Sequence, residues 1–314
     1  MDALGLDASL YERVPKSLRR LVFERIRPEH GGMAPAFSEP AAAAALPYIA
    51  PFYRYYFRCQ VRGFEKVPQA PAFIVANHNA LGVAEVPLFF YAWRKHFGPA
   101  RPLHGLAHRM IFTLPPLRSV LPRFGVIPAA PEVACKTLAA GRDLLVFPGG
   151  DWEAGRPFYE RKRIDFDGRT GFIRVALETG APLVPLAICG AHETQIIFAR
   201  GDGLSRALGL DEWLRLKTLP LTPQTIYAFY KTFQALRGRA SPLFLPLWIA
   251  NAWVGLPLLP SKIVMEFLEP LDLRKELRGV KGEEHRLQAG YRLVTRALQR
   301  KMDELQAERR TFLG

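Results

Sequence analysis

The sequence predicts an α/β fold: a mostly parallel central sheet flanked by helices, preceded by an N-terminal amphipathic helical extension. Three observations predict it. From Pro71 onward, short runs of Val, Ile, Leu and Phe alternate with segments whose apolar residues recur every three or four positions. The runs have the length of strands and the segments between them the length of crossover helices, the spacing that joins parallel strands. Hydrophobic residues make up 49% of the 314 residues, enough to fill a large core and to exclude general disorder.

Taken in order, residues 8–26 place Leu10, Val14, Leu18, Leu21, Val22 and Ile26 at helical spacing with Arg and Lys between them. This predicts an amphipathic helix bent at Pro15, facing either a membrane or the protein's own body. The Gly-, Pro- and Ala-rich stretch from Gly31 to Pro47 reads as a linker ending in a short Ala helix. Tyr48, Phe52, Tyr53, Tyr55, Tyr56 and Phe57 then crowd around Arg54 and Arg58. Rings beside arginines suit a lipid–water interface, and a buried aromatic cluster is the alternative.

The core alternation follows. Strands are expected at 72–76, 123–129, 143–147, 182–188 and 262–271, and helices over VAEVPLFFYAWRKHF, EVACKTLAA and GFIRVALETG, the last closed by Gly180. Between 243 and 259 there is no charge, but Pro242, Pro246, Pro257 and Pro260 argue against one straight spanning helix. That run is expected to insert into one leaflet, to wall a substrate tunnel, or to form a buried apolar layer. Glu283 to Arg309 reads as a charged surface helix. The expected division is therefore an extension over 1–45, one catalytic domain over 46–275 and a C-terminal helix over 276–314.

A net charge of +14 calls for an anionic partner. The basic residues are accompanied by aromatic and aliphatic bulk and by no nucleic-acid-binding motif, so an anionic membrane surface is expected and nucleic acid is not. Cys59, Cys135 and Cys189 are odd in number and far apart, which gives no disulfide framework and no metal pair. With no apolar signal segment at the start of the sequence, the expected setting is the cytoplasmic face of a membrane, with peripheral or monotopic attachment.

The chemistry is expected in Asn77-His78-Asn79-Ala80-Leu81-Gly82-Val83-Ala84-Glu85, just past the carboxyl end of the first core strand. Open α/β sheets place their sites at that edge. A small, flexible run from His78 to Glu85 lets imidazole and carboxylate meet, and a carboxylate on one ring N–H leaves the other nitrogen as a base. Downstream, Phe147-Pro148-Gly149-Gly150 ends a strand in two glycines whose N–H groups can cradle an anion or oxyanion, or merely turn the chain. Arg156, Arg161, Lys162, Arg163 and Arg169 follow, available to phosphates or headgroups.

Other motifs are weaker. Ile164-Asp165-Phe166-Asp167-Gly168-Arg169-Thr170 is similar to the nucleophile loop of haloacid-dehalogenase phosphatases, but Glu160 to Arg163 stand where that loop needs an apolar strand. Ala176 at the twelfth position from Asp165 excludes an EF-hand. His104 and His108 are four apart without the glutamate or third ligand of a zinc site, and read as structural. No metal site is expected.

With these residues in view, the sequence resembles the glycerol-3-phosphate and lysophospholipid acyltransferase superfamily over roughly residues 50–275. Phe73 to His78 resembles its first block, Arg123 to Ile127 its second, Phe147 to Glu153 its third and Val184-Pro185-Leu186 its fourth. The resemblance implies O-acyl transfer from acyl-CoA or acyl carrier protein to a glycerolipid or lysophospholipid hydroxyl, with no metal or redox cofactor. It implies His78 as base, and Glu85, the first carboxylate available after it, is read as its orienting acid. Its blocks also imply Asn77, Arg123, Phe147, Pro148, Gly149, Gly150 and Glu153 as substrate-binding residues, to which the basic cluster adds Arg156, Arg161 and Arg163. Two departures stand out: Val83 occupies the usual acid position, and Gly149 and Trp152 replace the Glu and Arg of the third block. The Phe-Pro-Gly-Gly form resembles the mono- and diacylglycerol acyltransferase branch, which implies that a neutral lipid alcohol can be the acceptor. A non-catalytic lipid-binding protein on the same fold is the rival reading.

Overall fold

In a computed structural model, the described residues are 37–235 and 258–313, less 70, 114, 208, 214, 215, 310 and 312. The expected helix over 8–26 and the uncharged run as far as residue 257 lie outside them. Seven strands form one sheet in the order β1-β7-β6-β2-β5-β3-β4. They are β1 (Gln60–Arg62), β2 (Phe73–Ala76), β3 (Leu103–Ala107), β4 (Val126–Pro128), β5 (Asp143–Val146), β6 (Leu183–Cys189) and β7 (Val264–Phe267). Every neighbouring pair is parallel except β6 and β7.

Side chains alternate between two cores, as a pleated strand requires. Phe73, Val75, Leu144, Leu183 and Ala187 enter one cluster, while Ile74, Ala76, Leu145, Val184 and Leu186 enter the other. The second cluster is covered by α2 (Glu85–Phe97), through Leu88, Phe89 and Trp93, with α1 (Glu39–Pro51) packed beside α2. On the first lie α3 (Pro131–Ala139), α5 (Gly171–Thr179) and the long α7 (Glu283–Glu308). Two further helices, α4 (Gly150–Ala154) and α6 (Pro223–Ala235), are added at the sheet's carboxyl edge and in the segment between β6 and β7.

Among the described residues the expected strands and helices are present, β1 and β3 are additional, and of the 262–271 run only Val264–Phe267 is strand; three further differences stand out. The Ala helix is longer than expected and runs across the 45/46 division, because Ser38 caps it and Pro40 starts it. Only Val126–Pro128 of the 123–129 segment is strand: Leu121–Phe124 coils, and Gly125, at φ +84, turns the chain into β4. The expected surface helix near the C-terminus is instead half core. Its Leu287, Val294, Leu298, Met302 and Leu305 repeat at three to seven residues and pack against β-sheet residues, so 276–314 shares the core of the preceding segment.

The order of strands decides where the site falls. From β2 the chain proceeds to β3, β4 and β5 on one side of it and to β6 and β7 on the other. That reversal puts a topological switch point at the carboxyl ends of β2, β5 and β6, the position at which open α/β sheets place their sites.

Candidate active site

The loop leaving β2 is built by its neighbours. Asn77 continues the sheet after β2 stops: its Nδ2 donates to the Ile188 carbonyl at 2.9 Å and its Oδ1 accepts from the Ile188 N–H at 2.7 Å. Both polar groups of the buried amide are thereby committed to β6, so Asn77 aims the next residue and does not reach a substrate. His78 follows, with its backbone N–H donating to Glu153 Oε2 at 2.8 Å. A 3-10 turn over Ala80–Gly82, with Ala80 at φ +31 and Gly82 at φ +74, then reverses the chain.

This turn absorbs the unusual distance in sequence between His78 and its acid. It delivers Glu85 to the first position of α2, where the helix N-terminus favours a carboxylate. Glu85 Oε1 lies 3.0 Å from His78 Nδ1 and accepts the Asn79 N–H at 2.8 Å. The carboxylate is wholly buried, while the His78 side chain keeps 17% of its surface. A carboxylate facing Nδ1 places the ring proton there, so Nε2 carries the lone pair and is the basic nitrogen. Phe147 stacks on the imidazole with centroids 4.4 Å apart and planes at 21°. On Gly82, a Cβ would stand 2.5 Å from His78 Cε1, so the glycine is required by the ring's position as well as by its own φ.

Glu153 was expected to bind substrate, but the structure makes it a support. It is buried on α4, where Oε1 accepts from Arg156 Nη1 at 3.0 Å while Oε2 holds the His78 N–H. Burial pushes its carboxyl up to about 6, against the downward pull of the Arg156 cation and the His78 N–H. A Cβ on Gly149 would lie 2.4 Å from Glu153 Cβ and 2.6 Å from Oε2. Glu153 therefore fills the space a side chain at 149 would take.

Arg156 is likewise interior: its guanidinium is 1% exposed, bonded to Glu153 and, through Nη2, to Asn79 Oδ1 at 2.8 Å. It cannot meet headgroups, because leaving this pocket would strand a buried carboxylate. Arg161 lies over the Phe158 ring and 3.8 Å from Glu193, and Arg163 is mostly solvated, 3.5 Å from Asp165. Of the expected arginines after the third block, Arg161, Arg163 and Arg169 keep part of their side chains at the surface, Arg169 while paired with Asp151. Arg123 is exposed but precedes β4, and so belongs to the amino edge of the sheet, opposite His78. The residues that leave β4 on the site's edge are Ala129 and Ala130, which carry no charge.

Of the two glycines, Gly150 sends its N–H to the Phe147 carbonyl at 3.0 Å, which closes the turn after β5 and uses that donor. Pro148 is buried within this turn. The Asp165–Thr170 segment is a loop and not the end of a strand, contrary to what a phosphatase nucleophile needs. Ile164 and Phe166 enter the core, Asp167 pairs with Lys217 at 2.6 Å, and Arg169 pairs with Asp151 at 2.9 Å. His104 is buried on β3, where burial and then the Arg142 cation lower its pKa. Among the described residues no three His, Cys, Asp or Glu side chains gather as metal ligands do.

One histidine beside the site carries no signal in the sequence. His192, in the turn after β6, lies against the loop leaving β2: Nδ1 accepts the Ala80 N–H at 3.2 Å and Nε2 meets the Arg156 carbonyl at 2.9 Å. A carbonyl only accepts and an amide only donates, so Nε2 carries the proton and the ring is neutral. Burial, followed by the Arg156 cation, drives its pKa down to about 3. Nothing in Cys189-Gly190-Ala191-His192 announces this role, since it depends on β6 lying beside β2.

These features can be set beside known proteins. A family model described as Acyltransferase matches residues 58–189. An uncharacterized protein of Mycobacterium tuberculosis is 30% identical over 281 residues, which cover 86% of this chain and 70% of the relative. The chain belongs to the acyltransferase family, and is thus a transferase of acyl groups. The DGAT1/2-independent enzyme synthesizing storage lipids of Gallus gallus is 31% identical over 127 residues, 40% of this chain and 37% of that one. A crystal structure of the 1-acyl-sn-glycerophosphate (LPA) acyltransferase PlsC from Thermotoga maritima covers 94% of this chain at 18% identity, with a TM-score of 0.49.

Proposed function

We propose that the chain moves a fatty acyl group from a thioester, acyl-CoA or acyl carrier protein, to the hydroxyl of a glycerolipid or lysophospholipid at the cytoplasmic face of an anionic membrane. The observation that carries this reading is the His78–Glu85 pair at 3.0 Å, on the carboxyl edge of the switch-point strand, with the ring still partly open to solvent.

In this mechanism Nε2 of His78 takes the proton of the acceptor hydroxyl while the oxygen attacks the thioester carbonyl. The tetrahedral adduct then expels the thiolate, which recovers the proton from the imidazolium, so atoms and charge balance without a metal or redox group. Glu85 holds the Nδ1–H and stabilises the cation as it forms. General-base help of this kind contributes about 10² to 10⁴-fold.

An uncharged acylglycerol acceptor is favoured over a phosphorylated one. Arg156 is consumed inside the protein, Arg123 lies at the far edge, and the Arg200 guanidinium that covers Trp152, 4.0 Å from its ring centre, is itself paired with Glu160 at 2.7 Å. The usual cationic grip beside the base is therefore absent from these positions. The similarity to an enzyme synthesizing storage lipids supports the same reading.

Labelled acyl-CoA and acyl carrier protein, offered with a panel of mono- and diacylglycerols, lysophospholipids and glycerol phosphates, test this reading. Turnover that falls at least 10²-fold in His78→Ala supports it. Tight lipid binding by the wild type without turnover on any pair would replace it with the lipid-binding rival.

A further inference from the structure

Helix α6 (Pro223–Ala235) is built inside out. A surface helix of a water-soluble protein turns its large apolar side chains inward and its small or polar ones outward. Among the described side chains of this helix the buried positions are Ala228 and Thr232, whereas Ile226, Tyr227 and Tyr230 are 50%, 52% and 54% exposed. At 100° per residue those three fall within one 100° arc, opposite the Ala228–Thr232 face. Their exposure is therefore a property of the helix's orientation. Lys231 reaches back over the Tyr227 ring, so a cation sits at the rim of the patch.

Two further observations say what covers this face. The sequence contains no Asp or Glu between Glu212 and Glu266, while Arg215, Lys217, Lys231, Arg237, Arg239 and Lys262 fall inside that stretch. A protein partner or a second copy would more commonly be met by mixed charge; an uninterrupted cationic stretch rich in Tyr, Phe and Trp matches a surface that is uniformly anionic and apolar just beneath. The stretch is also mounted on the site. It departs where Leu221 bridges Ala199 and returns where the Leu259 N–H meets the Thr194 carbonyl, two residues past His192.

We infer that Ile226, Tyr227 and Tyr230 of α6 form a docking face for an anionic lipid bilayer, which brings the edge bearing His78 to the lipid that supplies its acceptor. This rests on the membrane-surface reading above and names the face responsible. The rings lie at the acyl boundary and Lys231 among the headgroup phosphates.

The full chain is sedimented with vesicles of phosphatidylglycerol and phosphatidylcholine in equal parts, and with phosphatidylcholine alone. Ile226→Ser/Tyr227→Ser/Tyr230→Ser is expected to lower partitioning onto the anionic vesicles at least tenfold, with turnover on detergent-dispersed substrate within twofold of wild type. Tyr227→Trp/Tyr230→Trp, which keeps the rings, is expected to bind at least as well as wild type. Wild-type binding that the triple variant retains overturns the assignment to α6 and leaves the membrane reading standing; a wild type that ignores both vesicles overturns both. A triple variant that changes the sedimentation coefficient without vesicles shows that a second copy covers the face, which also overturns the proposal. Vesicle binding lost in the triple variant of a chain without turnover sustains the docking face and removes only the acyl-transfer reading.

Discussion

The loops leaving β2 and β6 emerge side by side from the same edge of the same sheet, and each carries a histidine. His78 has a carboxylate on one nitrogen, a phenyl ring on its face and part of its surface open. His192 has a peptide group on each nitrogen and is buried. The residue type is the same and the location nearly so, yet one ring is equipped to move a proton and the other is a neutral strut. The difference lies in what the nitrogens touch: a carboxylate stabilises the protonated ring, whereas an amide donor on one side and a carbonyl on the other fix a single neutral tautomer.

The contrast can be broken from either side. The largest effect is expected from Glu85→Gln, which keeps the shape but removes the charge that supports an imidazolium. Steady-state kinetics should show kcat falling about 10²-fold, equivalent to ~2.7 kcal/mol, with KM little changed. His192→Ala should instead unfold the protein more easily, by about 2–4 kcal/mol at neutral pH, because it leaves a buried N–H and a buried C=O unpaired. Denaturant titration measures it.

That stability difference should also depend on pH. His192 titrates near 3 in the fold against 6.5 ordinarily, so its contribution is complete above 6.5 and is lost on acidification toward 3, by about 1.4 kcal/mol per pH unit. Glu153 acts in the opposite sense: raised from 4.5 to about 6, it contributes below 4.5 and loses that contribution as pH rises through 6. Between 4.5 and 6 the two slopes oppose each other, and below 4.5 the histidine acts alone. The gap between wild type and His192→Ala should therefore narrow steadily as the pH falls below 6.5. A gap that stays constant from pH 7 to 4 would remove the neutral-strut assignment.

Gly82→Ala sharpens the comparison with a smaller change. Its Cβ would collide with His78 Cε1 and not with His192, so kcat should drop about tenfold as the base is displaced. Strain at φ +74 should add about 1 kcal/mol of destabilisation, visible in the same titration. Smallest of all, Arg163→Ala should alter stability by less than about 0.5 kcal/mol, since the side chain is mostly solvated and its ion pair with Asp165 is at the surface.

The strands with the clearest signal are those buried on both faces, because FIVA, DLLV and LVPLAI are continuous apolar runs of strand length. Leu103–Ala107 was not legible: His104 and Gly105 interrupt its pattern, and the glycine is needed where the Phe90 ring crosses the strand. The core stripe of α7 was masked by the charges between its apolar positions. Helix α6 escaped notice for the reverse reason, its large residues facing away from the core it rests on.

The candidate base and its acid could be picked out from their position after a strand and before a helix, and from residue type. The supporting residues could not. Asn77, Glu153 and Arg156 were grouped with substrate contacts because their chemistry permits it, and Arg123 because it stands beside an apolar run. Their true settings depend on three loops from separate strands meeting at one edge.

What the sequence by itself determined was the alternation of strand and helix and the placing of His78 and Glu85 on either side of one turn, since hydrophobic period and short-range spacing are local properties. Tertiary structure decided which polar groups are exposed and which are consumed. Burial is a property of neighbours: Glu153 and Arg156 are partners only because β5 ends beside β2, and His192 is neutral only because β6 ends on the other side.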